Sequence, residues 1–206
     1  MALSRPEINA TDPTGRYRHE IAITDKLIYI FGGGTADRVF ELKEIPAFDI
    51  ENRQWLSLTT IPDTKEEYPK PRKCHSLVQQ TYKNSDDVEE TDVYIIGGNN
   101  LEAPLSDLWK LSLRTLQWTK YRQAFKHTIY FHDSCITSDG CLYTFGGITT
   151  NGQRTNSLYK IWVKIPKLSA IAWESLLHYY PNIARAPKNY MLEKGVPQNY
   201  ADRVHL

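Results

Sequence analysis

Short apolar runs recur three times along the chain, and each run ends in a pair of glycines. The runs occupy residues 27–31, 93–96 and 142–145, and the pairs that follow begin at Gly32, Gly97 and Gly146, which lie 65 and 49 residues apart. Runs of this length, rich in β-branched and aromatic residues and bounded by turn residues, predict buried β-strands. Their recurrence in the same form indicates an internal repeat.

Each run stands in the same sequence context. A segment with basic residues or histidine precedes it, at 16–19, 72–76 and 132–134, and a further predicted strand follows it, at 47–50, 107–111 and 157–162. In the first two repeats a tryptophan, Trp55 or Trp118, lies about twenty residues beyond the glycines. The third repeat has no such tryptophan, and the strand pattern stops after Trp162.

This arrangement resembles the kelch repeat, in which each repeat forms one four-stranded blade of a β-propeller. Glycine suits the inner strands of a blade because it leaves room for the neighbouring backbone and permits positive φ. The tryptophan on the outer strand would fill the wedge that widens between blades. We therefore expect an all-β kelch propeller of about three blades, with repeats at 15–65, 66–124 and 125–166, after a flexible segment at 1–14. Another antiparallel β fold is the alternative.

The composition agrees with a β-rich chain. It has 13 Tyr, 5 Trp, 11 Gly and 11 Pro, with only 2 Met. The formal net charge is +1, which does not favour binding to nucleic acid or to an anionic membrane. Neither a signal peptide nor a membrane span is expected, since no apolar stretch is long enough.

The cysteines, Cys74, Cys135 and Cys141, are odd in number and lack metal-ligand spacing. This argues against a disulfide framework and against a structural zinc site, and it favours a reducing compartment, the cytoplasm or the nucleus. The acidic segment 84–91 lengthens the second repeat, and we interpret it as a solvated loop, with a docking site as the alternative.

No motif for catalysis or for cofactor binding is present. The chain has no GxSxG elbow, no P-loop and no GxGxxG, and Gly32-Gly33-Gly34 is not followed by the Lys-Ser/Thr of a phosphate-binding loop. The histidines show no local metal-ligand spacing, although ligands brought together from distant repeats stay open. We expect a protein that is not an enzyme and needs no metal or other cofactor.

The pattern becomes helical after Pro166. Leu168, Ile171, Ala172 and Leu176 share one helix face, and no Gly or Pro intervenes before Pro181. A second helix is predicted from Pro187 to about Lys194, with Gly195 as its stop, and a third after Pro197. One interpretation is that these helices only cover the outer edge of the last blade.

A second interpretation rests on the string Leu-x-x-x-Ala-x-x-x-Leu at 168–176, which resembles the BC-box that binds elongin C. This resemblance implies that Leu168 is the anchor, that Ala172 permits close approach, and that Trp173 and Leu176 contact the partner. Further on, residues 186–190 resemble the start of a cullin-2 box, which implies cullin contacts by Pro187 and Tyr190.

Together the repeats and the tail resemble the kelch-repeat substrate receptors of cullin-2 ubiquitin ligases. Residues 15–21, 45–47, 72–76, 107–111, 130–132 and 172–174 carry the likeness, which extends from about Gly15 to the C-terminus. It implies a non-catalytic adaptor that binds the C-terminal degrons of target proteins, ending in small residues, while its helices bind elongin B/C and cullin-2. A kelch scaffold that docks proteins without a ligase is the alternative.

A C-terminal tail ends in a carboxylate, which an arginine binds with two charge-assisted hydrogen bonds. In kelch blades the Arg-x-x-His segment enters the blade at one end of the central channel, so Arg16, Arg18 and Arg72 are expected to converge there. Tyr17, His75 and His132 would be secondary donors or walls. The alternative is that these residues brace the loops by bonding to backbone carbonyls.

Three blades are fewer than the four to eight with which propellers close. The repeat count therefore predicts either the C-terminal half of such a receptor or a half-propeller that pairs with a second copy into six blades.

Overall fold

A computed structural model describes residues 12–122 and 125–204. It divides the chain into two compact units, Met1–Ile161 and Trp162–Leu206. The flexible segment predicted for 1–14 lies outside the described residues except for 12–14, and the predicted border of the second repeat falls at an undescribed residue, 124. The division between the units falls inside the last strand, and the predicted border, 166, lies between that strand and the first helix.

The first unit contains two complete four-stranded antiparallel sheets. The strands of the first sheet are β1 (Glu20–Ile23), β2 (Leu27–Phe31), β3 (Glu44–Asp49) and β4 (Gln54–Thr59). Those of the second are β5 (Ser76–Lys83), β6 (Glu89–Ile96), β7 (Leu108–Ser112) and β8 (Trp118–Lys120). In both sheets the strands are neighbours in chain order, as in a propeller blade. Glu89, Glu90 and Thr91, predicted as loop, belong to β6.

The third repeat is shorter. A small ribbon pairs β9 (Ile129–Tyr130) with β12 (Ile148–Thr149), and a three-stranded sheet contains β10 (Asp133–Ile136), β11 (Cys141–Phe145) and β13 (Leu158–Trp162). In the described part of the chain no fourth strand follows β13, and the chain turns into helices there. This agrees with the missing outer-strand tryptophan of the third repeat.

The main core lies between the first two sheets. Tyr29 and Phe31 on β2 pack with Val93 and Ile95 on β6, and Trp118 on β8 closes the outer part. The Trp118 ring is fully buried, and its Nε1–H donates to the Leu42 carbonyl and to Thr60 Oγ1. Its ring meets Phe31 edge to face, with centroids 6.4 Å apart. Trp118 thus fills the wedge between blades, as the repeat pattern predicts.

The second unit is helical. It consists of α1 (Leu168–Tyr179), a short 3₁₀ helix (Pro181–Arg185), α2 (Lys188–Glu193) and α3 (Gln198–Arg203). Prolines stand directly before α2 and α3, and Gly195, at φ +82°, ends the turn after α2. The three α-helices confirm the predicted pattern, whereas the 3₁₀ helix was not anticipated. None of the described helices is long and apolar enough to cross a membrane.

The helices pack around a small core of their own. Trp173 of α1 stacks on Tyr200 of α3, with ring centroids 5.4 Å apart, and Met191 and Ala201 are fully buried beside them. Ser169 Oγ and the Tyr200 hydroxyl lie 3.1 Å apart, within hydrogen-bonding distance.

Candidate functional site

The three loops that enter the sheets share one backbone geometry. Arg18, Cys74 and Phe131 each precede the repeat's histidine, and each has φ +57°. The Cys74 N–H donates to the Arg18 carbonyl at 3.1 Å, and the Phe131 N–H donates to the Cys74 carbonyl at 3.0 Å. This ladder joins the loops into a single rim at the end of the sheets where β1, β5 and β10 begin.

The glycine pairs leave room for the next repeat. A Cβ atom on Gly32 would lie 2.4 Å from the Arg72 carbonyl oxygen and 3.0 Å from the His75 ring. On Gly97 it would lie 2.4 Å from the Ile129 carbonyl oxygen and 3.1 Å from the His132 ring. Both glycines also have positive φ. The two reasons expected for glycine, close approach and a left-handed backbone, are therefore confirmed at these positions.

Arg72 lies inside the protein and not on the rim. Its side chain is 0% exposed, and its Nη1 and Nη2 donate to the two carboxylate oxygens of Asp107 at 2.6 and 2.9 Å. Nη1 also donates to the Gly97 carbonyl, and Nε donates to the Lys70 carbonyl. Since Arg72 already holds a carboxylate, the predicted contact with a ligand is corrected to a brace. Burial by itself would raise the pKa of Asp107, but hydrogen bonds and charge from Arg72 lower it.

His75 and His132 are buried as well. Among the described residues no hydrogen-bond partner meets the ring nitrogens of His75. Burial lowers the pKa of His75 to about 3, with the Arg72 charge adding to the effect, and burial lowers the pKa of His132 to about 4. Both are neutral rings packed between sheets, so their predicted contact with a ligand at the open rim is corrected too.

Arg16 is half buried and mainly braces its own blade. Its Nη1 donates to the Gly32 carbonyl at 3.1 Å, as Arg72 donates to Gly97, and its Nε donates to the Thr14 carbonyl. Its guanidinium lies 3.7 Å from the centroid of Phe40, and that of Arg38 lies 4.4 Å from the same ring. Burial and the Arg38 charge lower the pKa of Arg16.

Exposed side chains at this end of the sheets include Tyr17, Arg18, Arg38 and Phe131, and we call these four residues the open rim. The Arg18 guanidinium lies over Phe131, 4.6 Å from its centroid. The Lys73 ammonium lies over the Tyr17 ring and 3.4 Å from the Tyr17 hydroxyl. It also donates a hydrogen bond to the Thr35 carbonyl. Of the predicted rim residues, the structure thus exposes Tyr17 and Arg18.

Sequence reasoning missed Phe131 and Arg38. Aligning the repeats on their histidines would have placed Phe131 at the position of Arg18, so that signal was available. Arg38 lies in the loop between β2 and β3, where no repeat position marks it.

A carboxyl group adjoins the open rim. Glu20 follows His19 and holds the repeat position that Ser76 and Asp133 hold in the other two sheets. Burial and the negative charge of Asp133 raise the pKa of Glu20 to about 7. Glu20 is therefore partly protonated at neutral pH, which reduces its repulsion of an anion at Arg18.

In the helical unit, α1 presents an apolar face to solvent. Leu168 is 80% exposed, and Ile171 and Ala172 are exposed beside it. A shallow groove adjoins this face and is lined in part by Ala172, Trp173, Leu176, Val196 and Pro197.

The remaining predicted tail contacts divide between core and surface. Trp173 is only 7% exposed and packs on Tyr200, so its predicted contact with elongin is corrected to a core role. Leu176 packs partly on the same core. Pro187 and Tyr190 lie on the surface of the helical unit, with the Lys194 ammonium 5.5 Å from the Tyr190 ring centroid.

The part of the chain that the structure describes brings together no group of three or more His, Cys, Asp or Glu side chains that could hold a metal ion. Of the three cysteines, Cys74 and Cys141 are buried and Cys135 is exposed.

Comparison with curated proteins identifies the repeat. Over 194 residues the chain is 41% identical to kelch domain-containing protein 10 of Rattus norvegicus, an alignment that covers 93% of this chain and 45% of that protein. This chain is a homologue of kelch domain-containing protein 10. It is also 37% identical over 216 residues to the kelch domain-containing protein 10 homolog of Drosophila melanogaster, covering 98% of the chain and 35% of that protein. The chain thus spans less than half the length of these relatives.

The solved structures give the fold. The chain matches a kelch-like structure, "Structure of YjhT", with a TM-score of 0.53 and 16% identity, covering 75% of this chain and 53% of that one. At this identity the likeness concerns the fold alone, and with the kelch homologues it supports a β-propeller type of fold. No protein-family model matches the chain.

Proposed function

We propose that the chain is a substrate-recognition adaptor of a cullin-2 ubiquitin ligase, docking to elongin B/C through α1 and binding target proteins through the open rim. The homologues suggest a kelch-repeat protein-interaction domain, and such domains are typically interaction modules rather than enzymes. The observation that carries the ligase role is the exposed apolar face of α1 around Leu168 and Ala172.

This face has the properties that a groove-binding helix needs. Trp173 holds α1 on the small helical core, so the helix is ordered without a partner and the exposed side keeps its direction. Leu168 is a protruding anchor, and Ala172 is short enough for a partner helix to come close. Leu168 is 80% exposed, so its full burial in a partner's groove would stabilise the complex by roughly 1.5–3 kcal/mol.

The open rim suits the carboxylate at the end of a protein chain. Arg18 keeps its guanidinium in solvent, and Tyr17 and Phe131 offer aromatic surface for the preceding small residues. These features support binding of C-terminal degrons by the open rim. Arg18 would then bind the terminal carboxylate, a role that the sequence pattern assigned to Arg16, Arg18 and Arg72 together.

Coexpression with elongins B and C tests the ligase role. The chain is expected to copurify with both proteins, and L168D combined with A172W is expected to abolish the capture. A negative charge in the first turn of a helix interacts favourably with the helix dipole. Residues 168 and 172 are both exposed, so the double variant should still fold. The matched control is N182D, which adds the same charge at an exposed site of the 3₁₀ helix.

Capture that survives the double substitution would refute docking by α1. A chain that binds target tails but never captures elongin would be the scaffold without a ligase.

A further inference from the structure

The first repeat has a third glycine, Gly34, directly after its glycine pair, and the other two repeats have none. Gly34 exchanges two backbone hydrogen bonds with Tyr17, each of 3.0 Å. A Cβ atom on Gly34 would lie 2.2 Å from the Arg38 carbonyl oxygen and 3.2 Å from Lys73 Cδ. Because glycine has no side chain, Tyr17, Arg38 and Lys73 come together around it. We call these three residues the junction site.

The junction site lies where the first and second repeats meet. Tyr17 and Arg38 belong to loops of the first repeat, and Lys73 belongs to the loop that enters the second sheet. Both of these repeats have all four strands in this chain. The geometry of the site therefore does not depend on any further blade.

Lys73 is a largely buried cation, with 9% of its surface exposed. Its ammonium donates to the Thr35 carbonyl at 2.7 Å and to the Tyr17 hydroxyl at 3.4 Å, and both of these acceptors are neutral. In the part of the chain that the structure describes, no carboxylate oxygen lies within 4 Å of this ammonium. A buried charge is costly unless an opposite charge accompanies it, so Lys73 favours an anion beside it.

The other groups of the site are hydrogen-bond donors too. Tyr17 is 48% exposed, and its hydroxyl, which accepts from Lys73, keeps its own proton for a further acceptor. The Arg38 guanidinium is exposed and lies 4.4 Å from the centroid of Phe40. A hydroxyl, an ammonium and a guanidinium together form a donor set that suits a carboxylate.

An acidic neighbour of the site, Asp37, leaves its charge positive. Asp37 is exposed and accepts a hydrogen bond of 2.6 Å from the Thr35 hydroxyl. This bond lowers the pKa of Asp37, and the charges of Arg38 and Lys73 lower it further. The half-buried Arg16 lies near enough to Arg38 to feel its charge. Arg16, Arg38 and Lys73 thus outnumber the one carboxylate.

The junction site adjoins Arg18, the residue that the proposed function assigns to the terminal carboxylate. The Arg18 side chain extends toward the third repeat, where it lies over Phe131. Lys73 extends the other way, toward the first repeat, where it bonds to the Thr35 carbonyl. A tail whose last carboxylate is bound by Arg18 can therefore pass over Tyr17 and bring an earlier residue to the junction site.

We propose that the junction site binds an acidic side chain of the target protein, a few residues before its C-terminus. This inference rests on the proposed function, because it follows the same tail further along the open rim. The Tyr17 hydroxyl and the Lys73 ammonium bind the side-chain carboxylate, and Arg38 lies at its outer side. An extended chain advances about 3.3 Å per residue, so the distance between the two sites selects the position of the acidic residue.

Peptides that differ at two places test the proposal. One series carries Glu at each of the second to sixth positions from the end, the matched series carries Gln there, and every peptide is made with a free and with an amidated C-terminus. At a preferred position, Glu should bind the full chain roughly 10-fold more tightly than Gln, as expected for a charge-assisted hydrogen bond. Fluorescence anisotropy measures the affinities, and the gain should shrink in high salt.

Variants of the chain locate this gain. Y17F deletes only a hydroxyl, and R38Q removes a charge, both at exposed positions, so the fold should persist. Each should remove most of the difference between the Glu and the Gln peptide. K73M should abolish the difference, but Lys73 also bonds to the Thr35 carbonyl. If circular dichroism shows K73M to be unfolded, Y17F and R38Q decide the matter.

Two matched controls make the same chemical changes elsewhere. Y179F deletes an exposed hydroxyl of the helical unit, and R53Q removes an exposed charge in the turn between β3 and β4, at the other end of the strands. Both should keep the preference for Glu. If either control loses it as Y17F and R38Q do, the effect is not specific to the junction site and the proposal is wrong.

The peptide set separates this inference from the proposed function. If amidation weakens binding while Glu and Gln peptides bind alike, the terminal carboxylate is recognised and only the junction site is refuted. If Glu is preferred and Y17F removes the preference, but amidation has no effect, the junction site is supported and the role of Arg18 is refuted. A preference for Glu that survives Y17F and R38Q would overturn the inference, and failure of every peptide to bind would overturn both.

Discussion

Arg72 donates two parallel hydrogen bonds, of 2.6 and 2.9 Å, to the carboxylate of Asp107, which lies 35 residues further along the chain. The pair connects the loop entering the second sheet to the loop that follows its glycine pair. An arginine in a motif that resembles a ligand-binding segment thus serves as an internal brace. Of the three arginines predicted to bind a ligand, Arg18 is the one that lies exposed to solvent.

The Arg72–Asp107 pair predicts a large loss of stability when one partner is removed. R72M should lower the free energy of unfolding by about 3–5 kcal/mol, because it leaves the mostly buried Asp107 carboxylate without its counter-charge. Urea denaturation measures this. R114M is the control: Arg114 is 61% exposed in its ion pair with Glu90, and its loss should cost about 0–1 kcal/mol. Equal losses in both variants would contradict the brace.

The glycine pairs predict a second contrast. Gly97 and Gly152 both have positive φ, so an alanine is strained at either site. Only at Gly97 does the new Cβ also collide with backbone, the Ile129 carbonyl oxygen at 2.4 Å, while at Gly152 it has open space. G97A should therefore be less stable than G152A by about 1–3 kcal/mol in thermal or urea unfolding. Similar stabilities would mean that the two neighbouring repeats are not in close contact there.

The buried histidines predict a pH dependence of folding. Their pKa values are about 3 for His75 and about 4 for His132 in the folded protein, against about 6.5 in an unfolded chain. Between pH 6.5 and 4 the unfolded state binds more protons, so stability present above pH 6.5 is lost as the pH falls. Each histidine contributes up to about 1.4 kcal/mol per pH unit.

Unfolding by urea at a series of pH values measures this slope. H75Q should make it shallower, because glutamine is polar but does not titrate. H178Q, at an exposed position of α1, should leave the slope as it is. A slope that H75Q does not change would show that other groups cause the acid sensitivity.

The open rim predicts selective binding of a free C-terminus. R18A should weaken binding of a peptide that ends in a free carboxylate by roughly 10- to 100-fold, the loss expected for charge-assisted hydrogen bonds of about 1.5–3 kcal/mol. The amidated peptide should be affected much less. Fluorescence anisotropy with a labelled peptide measures both affinities.

The control for the rim is K26A. Lys26 is exposed in the turn between β1 and β2, at the other end of the strands, and its removal changes the net charge by the same amount. If K26A matches R18A, or if R18A weakens both peptide forms equally, then Arg18 does not recognise the carboxylate.

Much of the fold could be predicted because its signals are local. A strand that ends in two glycines needs no distant residue to be recognised, and the spacing of Leu168, Ala172 and Leu176 marks a helix by itself. Repetition strengthened the inference, since three copies of a weak pattern in the same order are specific. Even the incomplete third blade could be anticipated, from the absence of an outer-strand tryptophan.

The assignment of side chains to the site required the tertiary structure. Arg16 and Arg72 each stand three residues before a repeat's histidine, yet Arg72 binds the Asp107 carboxylate inside the protein, whereas Arg16 is half buried and bonds to backbone carbonyls. The tail offers the same lesson, because Trp173 and Ala172 are neighbours in the chain, yet packing on Tyr200 buries one and leaves the other in solvent.

The sequence alone therefore determined the kind of unit, its number and its order, because strand, turn and helix preferences act over a few residues. The tertiary structure alone decided which of the predicted arginines is exposed to solvent and which face of α1 is open. Those properties depend on contacts between residues far apart in the chain, and no local pattern records them.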